Sequence, residues 1–268
     1  MISMAKHSRM WNESIYRKYI SEGRGQGSGN NYTPWIKVQD FSSNGMVSRV
    51  CGNKTGRIHH LMSNNELNFF YLLDWSDDVL DIREQFPLLD LPQIIEIAEK
   101  SGVQYPYDNK SGFPYVMTSD FFIQTVNDFK VITVKPSADL KKRRVREKLE
   151  IERRYWSKKN IEWKIVTESE INAVKAKNIE WLSQARNFKQ FGVSEELWDF
   201  CAEYFMEQFS VNQSTLETLF HKIERRFDLK YGMGLNIYKY LVYHKKIQVN
   251  ICEPLIFSDS ERLGIIYG

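Results

Sequence analysis

The chain has 268 residues, 42% hydrophobic and 26% charged, with a formal net charge of +3. That length holds one large or two ordinary domains with an ample core, and so small a net charge says little about partners until its distribution is examined. No apolar run approaches the ~18 residues a membrane span needs and the amino terminus has no signal-peptide core. Cys51, Cys201 and Cys252 are too far apart for a zinc or redox motif, so a reduced cytoplasmic setting is expected.

In chain order, Trp11 to Tyr19 reads as a short helix ending at GRGQGSGNN (23–31). That Gly-rich stretch lacks the Lys-Ser/Thr ending of a phosphate loop and is expected to be a mobile loop or extended arm. A turn-rich piece carries Arg49, Lys54, Arg57, His59 and His60; the histidines fit packing or phosphate-side roles better than metal ligation. A helix follows from Ser63, with Leu67, Phe70 and Tyr71 at i, i+3 and i+4. VLDIREQF (79–86) reads as a strand ended by Pro87, and a loop with Pro106, Asp108, Gly112 and Pro114 leads to DFFIQTVNDFKVITVK (120–135). After Pro136 a charged helix runs from Ser137 to Ser157, with Val145, Leu149 and Trp156 on one face, and Ile161 to Val166 is a strand. These elements make an α/β domain with a mixed sheet.

Composition shifts after Leu182. Residues 1–183 are therefore assigned to the α/β domain, 184–192 to a linker and 193–268 to a mostly α carboxy-terminal domain. In the last, helices over 194–208, 214–227 and 236–243 precede His244-Lys245-Lys246 and a short strand at 247–251, a winged-helix-like order.

The hairpin at 120–135 carries the most chemistry. Its β-branched and aromatic residues form two strands, with Asn127-Asp128 as the turn. A two-residue loop there sets Asp120 opposite Lys135, on one face and roughly 5 Å apart at Cβ. The pair is either a cross-strand ion pair, worth under ~1 kcal/mol if exposed, or the acid and lysine of a metal-dependent nuclease. In such nucleases the acid and the main-chain carbonyl before the lysine, here that of Val134, hold Mg²⁺ beside the phosphate. Thr133 shares the face of Lys135 by period two. Glu66, in SNNE (63–66), is either the N3 member of a capping box on Ser63 or a helical carboxylate reaching across to the metal. Asp139 to Lys159 contains ten Lys or Arg against four acids. Lys141, Lys142, Arg143, Arg144 and Arg146 are then either a solvated helical face or phosphate contacts. Glu84, in the 79–86 strand, is expected to support the site from behind. Glu147 and Glu152 are expected to pair on the helix surface with neighbouring Lys and Arg.

Seven segments, EGRGQG (22–27), KTGRIHHL (54–61), LDIREQFPL (80–88), SDF (119–121), VKP (134–136), ERRYW (152–156) and NIEWL (178–182), together resemble the TnsA family, the endonuclease subunits of Tn-seven-like heteromeric transposases. The likeness is ordered over roughly residues 15 to 185 and looser beyond. It implies a restriction-endonuclease-like (PD-(D/E)xK) catalytic domain using Mg²⁺, with Mn²⁺ able to substitute. By motif it implies Glu66, Asp120 and Lys135 as catalytic residues, and Glu66, Asp120, Thr133 and Val134 around the metal. It also implies cleavage at the 5′ ends of transposon DNA, at the nucleoid, beside a TnsB-type DDE transposase and a TnsC-type ATP-dependent regulator. One departure stands out: where the superfamily commonly has Gln or an acid two before the lysine, this chain has Thr133, a shorter neutral ligand. That departure sustains an alternative, a non-catalytic architectural subunit bridging DNA, TnsB and TnsC. A restriction or repair nuclease of the same fold is a third reading.

Overall fold

The computed structural model describes residues 10–40, 46–211 and 215–255. They fall into two compact units, the first ending at Ile171 and the second beginning at Asn172.

In the first unit, helix α1 (Glu13–Ser21) starts at Asn12, whose side chain accepts the Ile15 N–H. The Gly-rich segment after it is not a free arm. Arg24 is buried, pairs with Glu22 and Asp40, and lies 3.5 Å above the Tyr19 ring. Gly25, at φ +74°, passes so close to Pro87 that a Cβ there would sit 2.2 Å from Cγ. The turn-rich piece is itself a two-stranded antiparallel hairpin, β1 (Ser48–Cys51) with β2 (Ile58–Leu61). Helix α2 (Asn64–Trp75) begins at Ser63 as expected.

Strands β3 (Val79–Pro87), β4 (Thr118–Thr125), β5 (Phe129–Val134) and β6 (Glu162–Val166) form a four-stranded sheet in the order β3-β4-β5-β6. The first two pairings are antiparallel and the last parallel, so the sheet is mixed. Alternation assigns its faces. Ile82, Phe121, Ile123 and Ile132 pack with Leu61, Phe70 and Leu73 near α2. Phe122 and Val131 pack with residues of α3 (Leu91–Lys100) and α4 (Arg143–Lys158). The helix at 91–100 was not read from the sequence, although Asp90 caps it, Pro92 opens it, and Ile94, Ile97 and Ala98 bury one stripe. The charged helix is in two parts, a 3₁₀ turn at Ser137–Lys141 and then α4.

The hairpin register differs from expectation. Phe121 faces Ile132 and Gln124 faces Phe129, two positions away from a turn centred on Asn127-Asp128. Thr125 is the cause: its N–H donates to the Asp128 carbonyl at 2.8 Å, and its Oγ1 accepts the Asp128 N–H at 3.0 Å. The two-residue loop is therefore Val126-Asn127. A slip of two preserves the faces, because side chains alternate with period two.

The second unit contains α5 (Ala173–Ser183), α6 (Glu195–Val211), α7 (Leu216–Arg226) and α8 (Met233–Tyr243). The expected boundary at 183/184 is displaced. Helix α5 packs on α8, and the supposed linker holds a 3₁₀ turn whose Phe188 and Phe191 stack on buried Trp198. Glu224 accepts the N–H groups of Gly232 and Gly234 at the start of α8, and Gly234 is needed because a Cβ would lie 2.5 Å from Phe220 Cα. Residues 247–251 are turn and coil instead of a strand, so no wing strand is present among the described residues; Ser214 and 256–268 lie outside them. Among the described residues no helix is long and apolar enough to cross a membrane.

Candidate active site

Beyond Phe121–Ile132 the β4–β5 ladder gives way to a side chain. The Val134 N–H, which would otherwise seek a strand partner, donates to Asp120 Oδ2 at 2.7 Å. Lys135 Nζ donates to the same oxygen at 2.8 Å. Because of the register slip this is a diagonal contact instead of a directly opposed pair, and the long lysine stem spans it. Asp120 is 6% exposed, whereas the Lys135 side chain keeps 32% of its surface accessible. Burial works against the ammonium, yet Asp120, Glu152 and Glu66 outweigh it and hold the Lys135 pKa above its ordinary value. No described residue donates to Asp120 Oδ1.

Glu66 makes the cap expected of it, and the cap leaves its carboxylate near Asp120 and Lys135. Ser63 Oγ accepts the Glu66 N–H, and Glu66 returns its carboxylate to Met62 N–H at 2.9 Å and Ser63 Oγ at 3.1 Å. The cap thereby holds the side chain buried, 5% exposed, within electrostatic reach of Asp120 and Lys135. Burial first, and then the Asp120 charge, push its carboxyl up to about 7. Gln85 Nε2 supplies a further donor to Glu66 Oε2 at 3.3 Å.

Glu152 is the main correction. It is no surface pair: it is 3% exposed and accepts the hydroxyls of Ser119 and Thr133, each at 2.6 Å. Burial, reinforced by Asp120, pushes it up to about 7 against those two donors. Trp156 Nε1 donates to Ser119 Oγ, and Trp163 Nε1 to Thr133 Oγ1. The Thr133 hydroxyl is thus turned toward Glu152 and Trp163. The signal was in the sequence, since Leu149, Glu152 and Trp156 fall at i, i+3 and i+7 on the buried stripe of α4. Glu147 does pair on the surface, with Arg143 and Arg144.

Glu84 lies elsewhere, as the tie between hairpin and sheet. It is fully buried on β3 and accepts from Arg57 at 2.8 and 2.6 Å, from His59 Nδ1 at 2.7 Å and from the His60 N–H at 3.0 Å. Burial opposes its charge, but His59 and then Arg57 outweigh that and hold the carboxyl down at about 2. His60 Nδ1 accepts the Val38 N–H, so both histidines serve packing and tethering. In the basic run, Lys142 pairs with Asp139, and Arg144 also donates to the Gln104 carbonyl. Lys141 and Arg146 are exposed and make no ion pair with a described residue.

What could occupy this site follows from its donors. Among the described residues no group of three or more His, Cys, Asp or Glu side chains is arranged to hold a metal. Two carboxylates that repel each other, with Asp120 Oδ1 open, nevertheless suit a hard divalent cation completed by a main-chain oxygen and water.

A family model described as TnsA-like endonuclease N terminal matches residues 76–168, and one described as TnsA endonuclease C terminal matches 170–251. Asp120, Thr133, Lys135 and Glu152 lie inside the first span, and Glu66 precedes it. The junction between the two spans falls where the structure divides. Transposon Tn7 transposition protein TnsA from Escherichia coli is 38% identical over 251 residues, covering 92% of this chain and 90% of that protein. The chain belongs to the TnsA family of transposition endonucleases.

Proposed function

We propose that this protein is a Mg²⁺-dependent endonuclease that cleaves the 5′ ends of a transposon, within a complex that also holds a DDE transposase of the TnsB type and an ATP-dependent regulator of the TnsC type. The observation that carries the proposal is the sharing of Asp120 Oδ2 by Lys135 and Val134, beside the buried Glu66 carboxylate. Glu66 and Asp120 would hold the cation, with Mn²⁺ able to replace Mg²⁺. The Val134 carbonyl would join them, because on an extended strand it faces the same neighbour as its N–H. When bound, the cation supplies charge stabilisation at the scissile phosphate. The ammonium of Lys135, partly exposed, orients the attacking water or a phosphate oxygen by hydrogen bonding. Thr133 supports the site through Glu152, in place of ligating the cation directly. The α4 basic residues contact flanking phosphates of the end DNA.

The test is cleavage of end DNA by purified protein with its partner transposase and Mg²⁺. Wild type should cut at the 5′ ends, and Asp120→Ala should not. Undiminished cutting by that variant overturns the proposal. The engagement of the Thr133 hydroxyl by Glu152 is what a non-catalytic architectural subunit would also have. That reading is selected if the wild type binds DNA and partners but cuts nothing. Cutting without the partner, on DNA lacking transposon ends, would instead indicate a stand-alone restriction or repair nuclease.

A further inference from the structure

Gln85 is buried in β3, 4% exposed, yet its backbone is left-handed at φ +49°. A non-glycine residue in that region costs roughly 1–2 kcal/mol, and such residues persist where the surroundings over-determine them. Three contacts do so here. The Gln85 carbonyl accepts the Trp35 N–H at 3.3 Å, its Oε1 accepts the Thr118 hydroxyl at 3.2 Å, and its Nε2 donates to Glu66 Oε2 at 3.3 Å. With Glu66 ionised, the amide nitrogen is the group that donates to it, which leaves Oε1 to accept the Thr118 hydroxyl. The strand register adds a second relation. Glu84 faces Phe121 and Phe86 faces Ser119, so Gln85 stands at the register position of Asp120. One residue therefore sits across from the first carboxylate and is hydrogen-bonded to the second.

We propose that Gln85 is a positioning residue of the cleavage site, its Thr118-clamped carboxamide setting the direction of Glu66 Oε2 so that Glu66 and Asp120 converge on one divalent cation. This rests on the metal-dependent reading above. A carboxamide is suited to the task because it gives an N–H to Glu66 while taking the Thr118 hydroxyl. Glutamate in its place would repel Glu66, and methionine would offer neither contact. The left-handed turn of the strand carries the side chain toward the start of α2, where an ordinary pleat would alternate it across the sheet.

The experiment compares wild type, Gln85→Asn, Gln85→Met and Asp120→Ala as full chains. Mn²⁺ affinity is measured by calorimetry without DNA, and the Mg²⁺ requirement by end-DNA cleavage with the partner transposase. Asparagine tolerates the left-handed backbone but is one methylene too short to keep both contacts. Gln85→Asn should therefore still fold, with at most a modest loss of melting temperature, while binding Mn²⁺ about 10–100-fold more weakly. Raising Mg²⁺ should restore its cleavage, an outcome that a merely structural role would not produce. Gln85→Met should show the same loss of affinity. Should both fail to fold, Thr118→Val, which removes the hydroxyl that orients the amide, is read by the same criterion. Mn²⁺ affinity and Mg²⁺ requirement indistinguishable from wild type overturn the assignment of Gln85 alone, provided Asp120→Ala has lost both. A wild type that neither binds Mn²⁺ nor cuts removes the metal-dependent reading, and this inference with it.

Discussion

The hydroxyl of Thr133 donates to Glu152 Oε1 at 2.6 Å, linking a strand residue two before the lysine to a carboxyl on the basic helix. Thr133 is thereby joined to an acid that the sequence placed in helix-surface pairs. The buried carboxyl of Glu152 stands on α4, with Ser119 as its second donor.

Glu152→Gln is expected to separate those hydrogen bonds from charge. Glutamine keeps an acceptor oxygen for Ser119 and Thr133. The wild-type carboxyl has a folded pKa raised from 4.5 to about 7. Its contribution to stability is therefore fully present below pH 4.5 and is lost as pH rises through 7. Relative to wild type, Glu152→Gln should gain stability between pH 5 and pH 8, on the order of 2–3 kcal/mol. Thermal melting at the two pH values measures this, and an identical difference at both would contradict it.

Glu84 titrates in the opposite sense. Its folded pKa is lowered to about 2, so its contribution is present above 4.5 and is lost as pH falls toward 2. Glu84→Gln should destabilise the first unit by about 3–5 kcal/mol, because it leaves the Arg57 guanidinium, 9% exposed, without its carboxylate. Urea denaturation at pH 7 and pH 3 should show a smaller gap between variant and wild type at the lower pH.

Cation binding should be visible as stability. Glu66 is raised partly by Asp120, and a divalent ion between them would relieve that repulsion. At a hundredfold excess over Kd, Mg²⁺ or Mn²⁺ should stabilise the wild type by about 2.7 kcal/mol. The shift should disappear on chelation and in Asp120→Ala. A melting temperature indifferent to both ions would count against the site.

The basic run should not act uniformly. Lys141 and Arg146 carry no ion pair with a described residue, whereas Arg143 shares Glu147 with Arg144. Lys141→Ala and Arg146→Ala should each reduce the salt slope of DNA binding by about one. Arg143→Ala should change it less, a difference that filter binding across a salt series reads directly.

How far the sequence disclosed this site depended on whether a signal was local. Ser63 and Glu66 were legible because a cap is written in four consecutive residues, and the hairpin because its strands adjoin. The turn was misplaced by the Asn127-Asp128 preference, which Thr125 overrides with its own hydrogen bonds. The unit boundary was misplaced because Ala176, Ile179 and Leu182 of α5 reveal their partner only once α8 is folded beside them. Gln85 had no sequence signal at all, since a left-handed residue inside an apolar strand shows itself only in coordinates.

The most direct measurement is anomalous scattering from a crystal of the protein soaked in Mn²⁺. The expected result is a peak within ligand distance of Asp120 Oδ1 and the Glu66 carboxylate, with Lys135 still on Oδ2. Saturating Mn²⁺ with no peak between those two carboxylates would contradict the central claim.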